Sequence, residues 1–131
     1  MGNVVIVEAN KLLTSSVTGA AYTAATTPVN LALTTGTVGD GTTAGTEVTG
    51  GSYARVTTAS GWGTASAGSI TNTGTFSFTN MPGPITITGI ELWDSAGTPI
   101  RRWFGALTAS KTVNSGDTVT FAASSIVISL T

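Results

Sequence analysis

The sequence has no cysteine and no histidine, and only 8% of its 131 residues are charged. Without cysteine there is neither a disulfide framework nor thiolate chemistry. Without histidine the commonest general base, the commonest transition-metal ligand and the usual neutral-pH switch are all missing. Six acids and five bases remain, for a net charge of -1. An ordinary soluble domain carries about a quarter of its residues charged. A chain this poor in charge has weak electrostatic protection against self-association, so much of its surface is expected to be covered by other protein. The bases Lys11, Arg55, Arg101, Arg102 and Lys111 are scattered along the chain. No basic stripe follows a phosphate backbone, which argues against nucleic acid as a partner. No run approaches the roughly twenty apolar residues that cross a bilayer.

What is abundant is threonine, β-branched and aromatic residues in short periodic runs, divided by Gly, Pro, Asn, Asp and Ser, which is the pattern of strands joined by turns. The reading is all-β: residues 1–131 form a single-domain antiparallel β-sandwich or jelly-roll-like barrel, with residues 1–20 as an N-terminal arm and short helix. The apolar start Val4-Val5-Ile6-Val7 reads as an arm able to add a strand to a neighbour. A helix is expected from Glu8 to about Val17, with Leu12, Leu13, Ser16 and Val17 sharing one side and Gly19 ending it. Strands are expected at Pro28–Thr35 with one buried face, Ser52–Thr57, Thr75–Thr79, Ile85–Trp93 with a bulge at Gly89, Ile100–Leu107, Thr118–Phe121 and Ser125–Leu130. Asp94–Pro99 should turn one hairpin and Asn114–Asp117 the last. Residues 36–51, rich in Gly and Thr, read as a long loop and a candidate contact surface.

Candidates for chemistry are few. Glu91 and Asp94 lie three apart, a spacing open to acid–base work, but Glu91 reads more simply as an outward strand residue and Asp94 as a turn former. The Asp40-Gly41 loop lacks the carboxylate spacing of a calcium loop, and the Gly-rich stretches lack the lysine of a phosphate cradle. Neither a metal nor a cofactor is expected. Trp93 and Trp103 sit on the two arms of one hairpin, where cross-strand packing is the default. Trp62, between two glycines, is the aromatic expected to be exposed and open to a glycan or protein partner. Arg101-Arg102 puts a guanidinium on each face of a strand, so at least one must be paired or reach out of the core, and an interface salt bridge is one outcome. The candidate interface is therefore Val4, Val5, Ile6, Val7, Trp62, Arg101 and Arg102.

The segments Asn10-Lys11-Leu12-Leu13, Gly19-Ala20-Ala21-Tyr22, Leu31-Ala32-Leu33 and Glu47 to Val56 together resemble a widespread family of small bacteriophage virion proteins. In the second half, Ile85 to Ile90 leading to Trp93-Asp94, and Gly105 to Thr118, resemble the same family. The resemblance spans nearly the whole chain and rests on turns and strand edges. It implies a tail-fibre-like, minor structural or head-decorating part of the virion. With the low charge and thin catalytic inventory, it points to a non-enzymatic protein. The leading expectation is a capsid decoration or minor capsid protein on the capsid exterior, made in the host cytoplasm. Its partners would be the major capsid protein and copies of itself, as a homo-oligomer such as a trimer. The alternative is a tail or tail-fibre protein that binds the host surface.

Overall fold

The computed structural model describes residues 3–130. Met1 and Gly2 of the expected arm lie outside them. The elements run β1 (Asn3–Val4), α1 (Ile6–Thr18), β2 (Asn30–Thr35), β3 (Thr46–Glu47), β4 (Val56–Thr57), β5 (Ser69–Thr71), β6 (Phe76–Phe78), β7 (Ile85–Trp93), β8 (Arg101–Val113), β9 (Val119–Phe121) and β10 (Val127–Ser129).

All pairings are antiparallel. One layer is a sheet in the order β1-β8-β7-β2-β3, with β4 sharing the outer edge of β2. The other consists of two small ladders, β5 with β10 and β6 with β9. Leu31, Leu33, Ile90 and Leu92 of the large sheet meet Phe76, Phe78, Phe121 and Ile128 of the ladders in one hydrophobic core. The all-β sandwich expected from the strand pattern is the observed fold, and it does not close into a barrel.

Several local expectations change. Strand β2 was expected to bury one face, yet Leu31, Ala32, Leu33 and Thr34 are all inaccessible, because residues 36–45 fold back over the sheet's outer side. That stretch is therefore a lid rather than a free loop, and it leads into β3. Between β3 and β4 a side chain replaces the missing strand: the Leu33 amide donates to the Tyr53 hydroxyl oxygen at 2.9 Å. The bulge at Gly89 is shifted by one residue: pairing jumps from Ile87 with Lys111 to Gly89 with Ala106, dropping Thr88 from the ladder. The last turn forms, with the Asp117 amide on the Asn114 carbonyl, but its flanking strands part. β9 crosses to β6, so the Asn114–Asp117 turn joins the two layers instead of closing a hairpin.

Helix α1 starts two residues earlier than expected and ends where Gly19, in the left-handed conformation at φ 75°, donates its amide to the Ser15 carbonyl. The side that Leu13 and Val17 share does not meet the sheet. Leu13 and Val17 are 62% and 80% exposed, while the residue buried against the sheet is the charged Glu8. An apolar stripe alone cannot account for how this helix is held.

Candidate functional site

At one end of the sandwich, α1 and the chain that follows it stand over the core and leave a cleft of about 310 Å³. Its walls include the indoles of Trp62 and Trp103, the phenol of Tyr22 and the aliphatic side chains of Leu92, Ile70 and Ile128. Trp62 reaches it from a tight loop in which Gly61 leaves room for the Phe76 ring; a Cβ there would lie 2.3 Å from that ring. The indole is half-buried and packs on Phe76 at 5.8 Å between centroids.

The floor of the cleft is ionic. The β7–β8 register slips between Leu92 and Trp93, so Arg102 is left without a partner in the ladder. Its guanidinium turns toward Glu8 of α1 and Asp94 of the hairpin turn, donating to Asp94 at 2.8 Å and pairing with Glu8. The carbonyls of Thr23 and Ala24 accept from the same group at 3.5 and 3.4 Å. With Nε donating to Asp94 at 3.3 Å, the set occupies all five guanidinium N–H donors. Tyr22 donates its hydroxyl to the other oxygen of Glu8. Burial and this bond push the Tyr22 phenol up to about 12. For Asp94, burial works toward a higher pKa, but the Ile100 amide and the Arg102 guanidinium outweigh it and hold the carboxyl below its ordinary range. For Arg102 likewise, the cost of burial is exceeded by its bonds to Asp94 and Glu8, and its pKa rises.

Arg101 points to the opposite face of the sheet. It donates to Glu91 at 3.0 Å and to the Asp40 carbonyl of the lid, with the Phe104 ring beside it. Glu91, expected to face outward, is 1% exposed. It also accepts from the Gly45 amide at 2.8 Å and the Trp93 indole N–H at 3.1 Å. Trp93 lies under Arg55, whose guanidinium is 4.4 Å from the ring centroid and paired with Glu47 at 2.7 Å. The two hairpin tryptophans therefore do not pack on each other: Leu92 is opposite Trp103, and Trp93 is opposite Arg101.

The seven candidate interface residues consequently separate. Val4 pairs with Trp103 of the chain's own β8, and Val5 is 3% exposed, with its amide on the Arg102 carbonyl. The described part of the arm is thus an edge strand of its own sheet rather than a free extension. Arg101 and Arg102 are 8% and 3% exposed, and their ion pairs are internal. Ile6 and Val7 remain about half exposed on α1. Trp62 and Arg102 both line the cleft, where the sequence did not reveal Glu8, Tyr22 and Trp103 as their companions. The arginine doublet was the available signal, since two guanidiniums on one strand demand buried acids and only six acids exist.

Internal pairing also uses most of the charge. All three arginines and four of the six acids are in ion pairs within the chain. Among the described residues this leaves Lys11, Lys111, Asp40 and Asp117 outside them. Asp40 and Asp117 each accept backbone amides in their own turns.

Among curated proteins none matches the chain. A family model described as podophage GP4 fiber I protein gp80 matches residues 4–129, from β1 through the end of β10. With that match over almost its full length, the chain belongs to the podophage GP4 fiber I protein gp80 family, a family of small phage virion structural proteins.

Proposed function

We propose that the protein is a fibre-type structural component of a phage virion, without enzymatic activity, that works through contacts with copies of itself and with neighbouring virion proteins. The observation that carries this reading is the family match across residues 4–129. It favours the tail-fibre alternative over capsid decoration, because the matching family is named for a fibre. The distribution of charge supports an assembly role: most ionisable groups are consumed inside the fold, so the exterior is poorer in charge than the composition suggests.

Self-association has a candidate surface on α1. Ile6, Asn10, Leu13 and Val17 follow one another at spacings of four, three and four, the spacing of a helix–helix seam. All four are exposed, and none is charged. Two copies could bring these faces together without opposing like charges.

Quantitative mass spectrometry of purified virions tests the assignment. A fibre component is expected at a small fraction of the copy number of the major capsid protein. Near-equal numbers would replace this reading with capsid decoration, and absence from particles would remove the virion role.

A further inference from the structure

The cleft under α1 has a specific pattern of spent and unspent hydrogen-bonding capacity. Every N–H of Arg102 is engaged, the Tyr22 hydroxyl donates to Glu8, and the Thr58 hydroxyl donates to the Val29 carbonyl at 2.9 Å. The unspent capacity is on the acceptor side. Each carboxylate oxygen of Glu8 accepts from one donor, Tyr22 or Arg102, and has a further lone pair, and the phenol and threonine oxygens keep free lone pairs. Around these acceptors stand the indoles of Trp62 and Trp103.

This combination selects a ligand class. An anion would need donors, which are used up. A cation is disfavoured because it would reach Glu8 only beside the Arg102 guanidinium, which lines the same cleft while Asp94 does not. A purely apolar group would cover the free carboxylate lone pairs without satisfying them, at a net loss. A neutral ring with one C–H face and a rim of hydroxyls fits, since it can lie on an indole and donate to Glu8. The volume, about 310 Å³, is at the small end of ligand pockets and suits a short saccharide rather than a long chain.

We infer that this cleft binds a neutral saccharide unit, with Trp62 and Trp103 as stacking surfaces and Glu8 as the hydroxyl acceptor. That such binding serves contact with carbohydrate on a host surface rests on the fibre reading. The binding itself does not.

The test is titration of the full chain with the methyl glycosides of glucose, galactose, mannose and N-acetylglucosamine, read by tryptophan emission and by saturation transfer from aromatic protons to sugar C–H protons. At least one glycoside is expected to bind saturably at roughly millimolar affinity, as suits a ligand of so few atoms. Trp62→Ala should weaken it at least tenfold, and Trp62→Phe, which keeps a ring and the contact with Phe76, should restore part of the loss. Trp93→Phe, on the other face of the sheet, should leave it unchanged. Failure of all four glycosides to bind, binding indifferent to both Trp62 variants, or displacement of the sugar by tetramethylammonium would overturn the inference. Virion copy number is measured separately, so a low count with no sugar binding would remove the ligand and keep the fibre assignment.

Discussion

Glu8 and Arg102, 94 residues apart in the sequence, meet as an ion pair in which both side chains are 4% exposed. This contact, more than apolar packing, fastens α1 to the sandwich, since Glu8 is the helix residue buried there. Glu8→Ala should destabilise the fold by about 3 kcal/mol. That is the low end of the roughly 3–5 kcal/mol for breaking a buried pair, because Asp94 stays with Arg102. Denaturant titration measures the loss, and the far-ultraviolet helical signal should fall with it. Full stability in this variant would mean that other contacts hold the helix.

A second prediction concerns Gly89. A Cβ there would lie 2.8 Å from the Gly105 carbonyl oxygen and from Thr34 Oγ1. Both belong to strands flanking β7, so neither can yield without disturbing a ladder. Gly89→Ala should cost about 1–3 kcal/mol, the range of overpacking in a tight interior, and its thermal midpoint should drop accordingly. The mutant's midpoint matching that of the parent chain would show that the three strands can spread there.

The tyrosines set the alkaline behaviour. Tyr22 is raised to about 12, by burial and by its bond to Glu8, and Tyr53 is raised further, chiefly by burial. In both cases the folded state holds the proton more tightly than the unfolded chain, where tyrosine titrates near 10. Their contribution to stability is thus complete below pH 10 and declines as the pH climbs from there toward about 12. Tyrosinate absorbance should show little ionisation at the ordinary midpoint while the chain stays folded. Asp94 has the opposite sign: its depressed pKa contributes stability above 3.8, the ordinary value, that is lost as the pH falls through its folded value. Asp94→Asn should flatten the acid side of the stability profile.

Leu13 and Val17 offer a surface test. Because they are 62% and 80% exposed, Leu13→Lys and Val17→Glu should leave monomer stability within about 0.5 kcal/mol. If α1 forms the seam between copies, each variant should shift sedimentation equilibrium toward the monomer. An unchanged association constant in both would place the contact elsewhere.

The fold was legible where the code is local. Alternation marked β7 and the closing strand, and Asp94–Pro99 marked the hairpin turn, because period and turn chemistry act within a few residues. What was not legible depends on distant partners. Leu13 and Val17 could be read as sharing a side but not placed, because helical periodicity reports which residues share a face and not which face meets the core. The burial of Glu91 could not be read from strand alternation, since it depends on the lid over the outer face, with Gly45 donating 46 positions away. Of the cleft, only Trp62 and Arg102 stood out in the sequence. Its walls come from stretches far apart in the sequence, from Glu8 to Ile128, and the register slip turns Arg102 toward α1 among them.

Strand β1 has a consequence for the order of assembly. Asn3 and Val4 find their partners at Phe104 and Trp103, so once synthesised they must wait for about a hundred more residues before they can be placed. Synthesis proceeds at roughly 5–20 residues per second, which keeps this segment without its native neighbours for at least several seconds. During that interval its apolar residues are open to the β8 edge of another copy whose own β1 is not yet in place.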